Sequence, residues 1–113
     1  MVRGFFAYLL ADNAFIQYNF YTKMAQFEFD PAKSETNREK HGIDFAEVQA
    51  IWNDDRRLMV PAKSDTEERF QIIGQVFGKL WAVFITYRGE IIRIISALRA
   101  RSDERQKYYE KSD

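Results

Sequence analysis

Between Gln26 and Asp30 the side chains alternate. Phe27 and Phe29 fall on one side and Gln26, Glu28 and Asp30 on the other, the two-residue period of a half-buried strand. At Asp30 the period breaks. Asp30 suits an N-cap, Pro31 the first helical position where it forfeits no hydrogen bond, and Gly42 a left-handed stop, which predicts a helix of about three turns. Almost nothing on that helix is apolar beyond Ala32, so no hydrophobic stripe holds it in place. Beyond Gly42, Asp44 and Glu47 form a capping-box start, and Phe45, Val48, Ile51 and Trp52 make an amphipathic stripe that predicts a second, packed helix. Asn53, Asp54 and Asp55 end it, and Arg56 to Ala62 reads as a weak strand that Pro61 confines to a sheet edge.

Strands follow. Arg69 to Phe77 is one, and Gly78 and Lys79 suit a two-residue hairpin with glycine at the first central position. Leu80 to Tyr87 is a nearly continuous apolar run, as in a central strand covered on both faces. Arg88, Gly89 and Glu90 turn the chain into the Ile-rich strand Ile91 to Ala97. Ser102 can cap a last helix, with Asp103 and Glu104 in its first turn and Lys107 and Lys111 later, the order the helix dipole favours. The predicted class is α+β, a small antiparallel meander packed against two N-terminal helices and a C-terminal helix.

Residues 1–23 carry seven of the chain's aromatics (ten Phe, six Tyr and two Trp in all), yet no apolar run there approaches the ~20 residues of a membrane span. Their polar and bulky residues also make a poor secretory signal. Met24 directly precedes the first clean strand, so residues 1–23 are read as a leader or upstream, poorly anchored extension, and 24–113 as a single domain large enough for one core.

Charge and cysteine content narrow the chemistry. Lys and Arg equal Asp and Glu at 17 each, so nucleic acid would have to be held by local clustering rather than by a globally basic surface. From Arg88 to Lys111 such clustering exists, seven basic residues against four acidic ones. The absence of cysteine excludes disulfides, thiol nucleophiles and thiolate metal sites, and fits a reducing, cytoplasmic setting. With one histidine besides, no metal site and no cofactor is expected.

Two groups of residues can carry chemistry. Lys33, Asn37 and Lys40 recur at i, i+4 and i+7, and His41 lies one step further, so four donors share one side of the first helix. Lys40 and His41 also stand in the last turn, where positive charge is favoured, so a capping role for His41 stands beside a chemical one. Arg93 interrupts four isoleucines. It is either a structural cation paired with a carboxylate such as Glu68 or Glu90, or a guanidinium held on a rigid strand to grip phosphate. Arg69 and Arg88 fall at strand ends near the same rim of a regular meander. Together, three arginines on adjacent strands bordered by the helix face read as a phosphate-binding platform.

The blocks FEFDPAKSETNREKHGIDF (Phe27 to Phe45), EERF (Glu67 to Phe70), the Ile73-Gly74 step and IIRIISALRA (Ile91 to Ala100) resemble the BrnT family of toxins. Glu104-Arg105 and YYE (Tyr108 to Glu110) continue the match, which runs from about Met24 to Glu110. This resemblance implies a RelE-like fold and the role of toxin in a type II toxin–antitoxin pair, an endoribonuclease that cleaves RNA without metal. It also implies a BrnA-type antitoxin with a ribbon-helix-helix domain, through which alone the toxin meets DNA. By motif match, Arg69, Arg88 and Arg93 take phosphate and transition-state contacts, and Lys40 and His41 positioning or proton transfer. Lys33, Asn37, Ser96 and Arg99 are the remaining substrate contacts, with Glu68 either a base or a salt-bridge partner. The chain departs from the family at Leu98, where arginine is usual. That departure opens an alternative reading, a catalytically weakened binding module that serves as antitoxin ligand and co-repressor.

Overall fold

A computed structural model describes residues 5–9, 15–19 and 25–111 of the chain. Its elements are β1 (Phe5–Leu9), β2 (Phe15–Asn19), β3 (Ala25–Phe29), α1 (Pro31–His41), a 3-10 helix (Glu47–Asn53), β4 (Leu58–Ala62), β5 (Arg69–Val76), β6 (Lys79–Arg88), β7 (Ile91–Arg99) and α2 (Ser102–Lys111). The strands form one sheet in the order β1-β2-β3-β7-β6-β5-β4. Most of the segment expected to be an upstream extension, residues 1–23, lies outside the described residues. Within it, β1 and β2 pair as antiparallel neighbours, and β2 pairs in turn with β3.

The class is α+β, but the sheet is mixed rather than purely antiparallel. β3 runs parallel to β7, with Phe27 beside Ile92 and Glu28 beside Arg93, while β4 to β7 form the expected antiparallel meander. A parallel pair needs a long crossover, and here everything from α1 to β6 supplies it.

Local rules set the element ends. The Asp30 carboxylate accepts from the Ala32 N–H at 2.8 Å, and Gly42 ends α1 at φ 82° while its N–H donates to the Arg38 carbonyl. Asp44 and Glu47 close their capping box reciprocally at 2.7 and 3.1 Å, yet the expected α-helix is a 3-10 helix. The reason lies in the spacing of Phe45, Val48 and Ile51, all at most 1% exposed. Three residues per turn stacks i and i+3 on one face, so the tighter winding sets Val48 and Ile51 on the side that Phe45 enters from the preceding turn. The β5–β6 hairpin also turns one residue earlier than expected. Phe77 and Gly78, at φ 51° and 79°, are its central pair, and Lys79 already pairs with Val76. Two left-handed residues give the turn twist that suits a right-twisted hairpin. α2 begins at Ser102 itself. Arg101 is the cap, its carbonyl accepting from the Arg105 N–H and its own N–H donating to Glu104 at 2.7 Å.

The main core lies on one face of the sheet, where Phe27, Ile72, Val83, Ile85 and Ile94 meet Ile43, Phe45, Val48 and Ile51. On the opposite face, Ile73, Leu80, Ala100 and Tyr108 form a smaller cluster under α2. That cluster sits near the β5–β6 hairpin, so α2 covers one end of the face and the candidate site occupies the other.

Candidate functional site

The strand register places three of the expected residues in one neighbourhood. On β7, Arg93 has Glu28 of β3 on one side and Thr86 of β6 on the other. One step beyond the Phe70–Ile85 pair, Arg69 continues the row past Thr86, whose Oγ donates to the Glu68 carbonyl at 2.6 Å. Two residues along β6 from Thr86, Arg88 shares the same face. Arg69, Arg93 and Arg88 thus come from three adjacent strands, as a regular meander implies.

Sequence reasoning named the wrong carboxylates for Arg93. Its partner is neither Glu68 nor Glu90 but Glu28, whose Oε2 lies 3.3 Å from Arg93 Nη1 and 3.5 Å from Arg88 Nε. Glu28 is only 3% exposed, because parallel β7 sets Arg93 beside it and Arg88 of β6 reaches it as well. Nothing local in the sequence could reveal this, since alternation alone makes Glu28 a solvent-facing residue. Arg69 pairs with Glu67 at 3.4 Å. Glu68 is exposed and takes part in the row through its backbone carbonyl.

Saturation is incomplete here. Glu28 Oε2, Arg69 Nε and Arg93 Nη1 are buried without a well-formed hydrogen bond. Buried polar atoms are ordinarily bonded, so Glu28 and Arg93 are held together here by charge rather than by a well-aligned hydrogen bond.

A second group gathers where α1 meets β7. Lys33, Lys40, His41 and Ser96 line a cleft of about 260 Å³, with Asn37 and Phe45 also in its wall. Asn37 holds the helix there. Its amide donates to the Ile43 and Ala97 carbonyls, both at 2.9 Å, and accepts from the Ala97 N–H at 3.1 Å. A side chain thereby takes the place of a strand partner along β7 beyond the end of β3. Ser34, accepting from the Phe45 N–H at 2.9 Å, fastens the next turn of chain. These bonds do for α1 what an apolar stripe would otherwise do.

Ser96 links the two groups. The register shifts at Phe84–Ile85, so that Ile85 pairs with Ile94 and Phe84 with Ser96, and the extra Ile95 returns Ser96 to the face of Arg93. Leu98, paired with Ala82, falls on that face too, whereas Arg99 pairs with Trp81 and lies 5.5 Å above its ring. Arg99 is therefore separated from the other expected substrate contacts.

A different carboxylate cluster marks the α2 end. Asp54 Oδ2 accepts from the Tyr108 hydroxyl at 2.6 Å and the Gln75 N–H at 2.8 Å, and Oδ1 from the Arg56 N–H at 3.0 Å. Burial raises the Asp54 pKa, but these hydrogen bonds prevail and leave it below the ordinary value. Burial and the bond to Asp54 push the Tyr108 phenol up to about 12.

Among the described residues, no group of three or more His, Cys, Asp or Glu side chains is arranged to hold a metal ion, and no helix is long and apolar enough to cross a membrane. No curated protein matches the chain. Residues 29–104 match the family model described as the ribonuclease toxin, BrnT, of type II toxin-antitoxin systems.

Proposed function

The chain belongs to the BrnT family of ribonuclease toxins, and from that membership we propose that it is an endoribonuclease which cleaves RNA without a metal ion. The observation that carries this reading is the row Arg69–Thr86–Arg93–Glu28, which together with Arg88 gathers three arginines on one face of the sheet. Cleavage requires activation of a 2′-hydroxyl, stabilisation of a crowded, negatively charged phosphorane and protonation of the leaving 5′ oxygen. Arg69, Arg88 and Arg93 take the second task, because preorganised cations act most strongly where charge develops in the transition state. Lys40 and His41, in the adjoining cleft, position the substrate or move protons, while Lys33 and Ser96 contact its backbone. Glu28, rather than Glu68, is the carboxylate that sets the arginine forks, and Glu68 remains the candidate base.

A type II toxin family implies an antitoxin partner. We take that partner to be of the BrnA type, with a ribbon-helix-helix domain through which the pair reaches DNA in the cytoplasm. We also take the architecture to be that of the RelE-like ribonucleases. One observation favours the alternative, a weakened toxin that survives as antitoxin ligand and co-repressor. Leu98 puts an apolar side chain on the very face that holds Arg93.

Inducing the full chain without antitoxin decides between them. The enzyme reading expects growth arrest and new RNA ends that map to discrete cuts. Normal growth with no new ends, from soluble protein, selects the alternative. In the double variant Arg69→Ala/Arg93→Ala cleavage should fall by at least about 100-fold, the cost of losing a preorganised donor.

A further inference from the structure

We propose that Phe84 is a stacking platform for one unpaired nucleobase. This subsite rests on the ribonuclease reading and adds to it a preference for single-stranded substrate. From Leu80 to Thr86 every side chain of β6 is buried except Phe84, which is half-buried. Phe84 stands one row from Thr86 and Arg93 on the arginine face, a distance of about 7 Å along a strand. Directly across from it are Gln71 on β5 and Ser96 on β7. The Gln71 amide is engaged by Glu104, which leaves Ser96 as the polar neighbour beside the ring.

Toward α2 the surface dips into a recess of about 240 Å³ lined by Phe84, Ala82 and Leu98, with Arg99, Arg101 and Glu104 around it. The occupant follows from continuity and charge. A chain whose phosphate is gripped by Arg93 has its next base within one row of the Phe84 ring, over an apolar floor. Cations on the backbone and an aromatic face under the base are the combination by which proteins hold single strands with little regard to sequence. A duplex keeps its bases stacked on one another and cannot offer one to the ring.

The test uses the full chain and two six-nucleotide probes, a 2′-O-methyl oligoadenylate, which cannot be cleaved through its own 2′ oxygens, and the same backbone with abasic sugars. Phe84→Leu keeps the apolar bulk and removes the ring. It should weaken binding of the base-bearing probe about tenfold and leave the abasic probe unchanged. Phe84→Trp should keep the affinity, and the emission of the introduced tryptophan should be quenched by the base-bearing probe alone. Unchanged affinity in Phe84→Leu together with no quenching in Phe84→Trp overturns the subsite. If Arg69→Ala/Arg93→Ala still weakens both probes in that case, the arginine platform stands and only the base subsite falls. Failure of the parent to bind either probe overturns both. Should Phe84→Leu fail to fold, quenching in Phe84→Trp supports the subsite and its absence overturns it.

Discussion

Two carboxylates, Asp54 and Glu28, each sit where three elements meet on this sheet, and they are treated in opposite ways. Asp54 accepts three hydrogen bonds, from Tyr108, Gln75 and Arg56, and so fastens the end of the 3-10 helix to β5 and α2. The fit is close. A Cβ at Gly74 would come within 2.8 Å of Ile51 and 3.2 Å of Asp54 Oδ2, which is why glycine stands there. Glu28 faces two arginines, yet its Oε2 and Arg93 Nη1 lack a well-formed hydrogen bond. A saturated cluster gives its full free energy to the fold, because every buried donor and acceptor is matched. An unsaturated one gives less, and departures from local satisfaction of this kind concentrate at functional sites. On this comparison the α2 end is structural, and the arginine end is the surface we propose for RNA.

The contrast is broken most directly at Asp54. Asp54→Ala leaves the Tyr108 hydroxyl and two N–H groups without their acceptor, and should lower stability by about 3 kcal/mol, read as a drop in the urea midpoint. Binding of RNA by the folded fraction should be unchanged. A parallel loss of RNA affinity in that fraction would erase the division between the two ends.

Glu28→Gln sharpens the contrast from the other side. The substitution keeps the shape and removes the charge that sets the forks of Arg88 and Arg93, so stability should move by less than about 1 kcal/mol while kcat falls about tenfold, ~1.4 kcal/mol in the barrier. KM should fall as well, since the RNA phosphate no longer competes with a carboxylate for the same cations. A structural role alone would instead lower the melting temperature and leave kcat and KM of the folded enzyme where they were.

What the sequence disclosed, and what it concealed, follows the range of the interactions. The Asp30 cap, the Gly42 stop and the Asp44–Glu47 box involve neighbours in the chain and were legible. So was the edge position of β4, because Pro61 cannot donate in a central ladder. The hairpin slipped by one residue because an aromatic at φ 51° is costly, and only the register of β5 on β6 makes Phe77 accept it. The parallel pairing of β3 with β7 joins residues more than 60 positions apart, and on that pairing depend both the mixed sheet and the burial of Glu28. Asn37 was legible as a polar residue on one face of α1, beside Lys33 and Lys40. Its bonds to Ala97 were not, since an amide that replaces a strand partner has no local signature. Arg93 was found because it is anomalous among isoleucines, and Arg69 and Arg88 because they stand at strand ends near the same rim, whereas Glu28 is ordinary in its own strand.

The smallest effect is expected at Tyr108, and pH separates it from the others. The fold holds the phenol neutral, with its pKa raised from 10.0 to about 12 by burial and by the bond to Asp54. An acid with a raised folded pKa contributes stability that is complete below the unfolded value and disappears as the pH rises through the folded one, here between pH 10.0 and about 12. Asp54 behaves in the opposite sense, since its pKa lies below the ordinary value, and its contribution is lost only in acid. Tyr108→Phe removes one hydrogen bond and keeps the ring, so near neutrality it should cost about 1 kcal/mol. Two further shifts accompany that loss. The alkaline fall in stability above pH 10.0 should flatten, and unfolding in acid should begin at a higher pH, because Asp54 has lost a donor that favours its ionised form. Denaturant midpoints measured across the pH range check both limbs, and a Tyr108→Phe profile parallel to that of the parent would show that Asp54 and Tyr108 are not the pair that fastens α2.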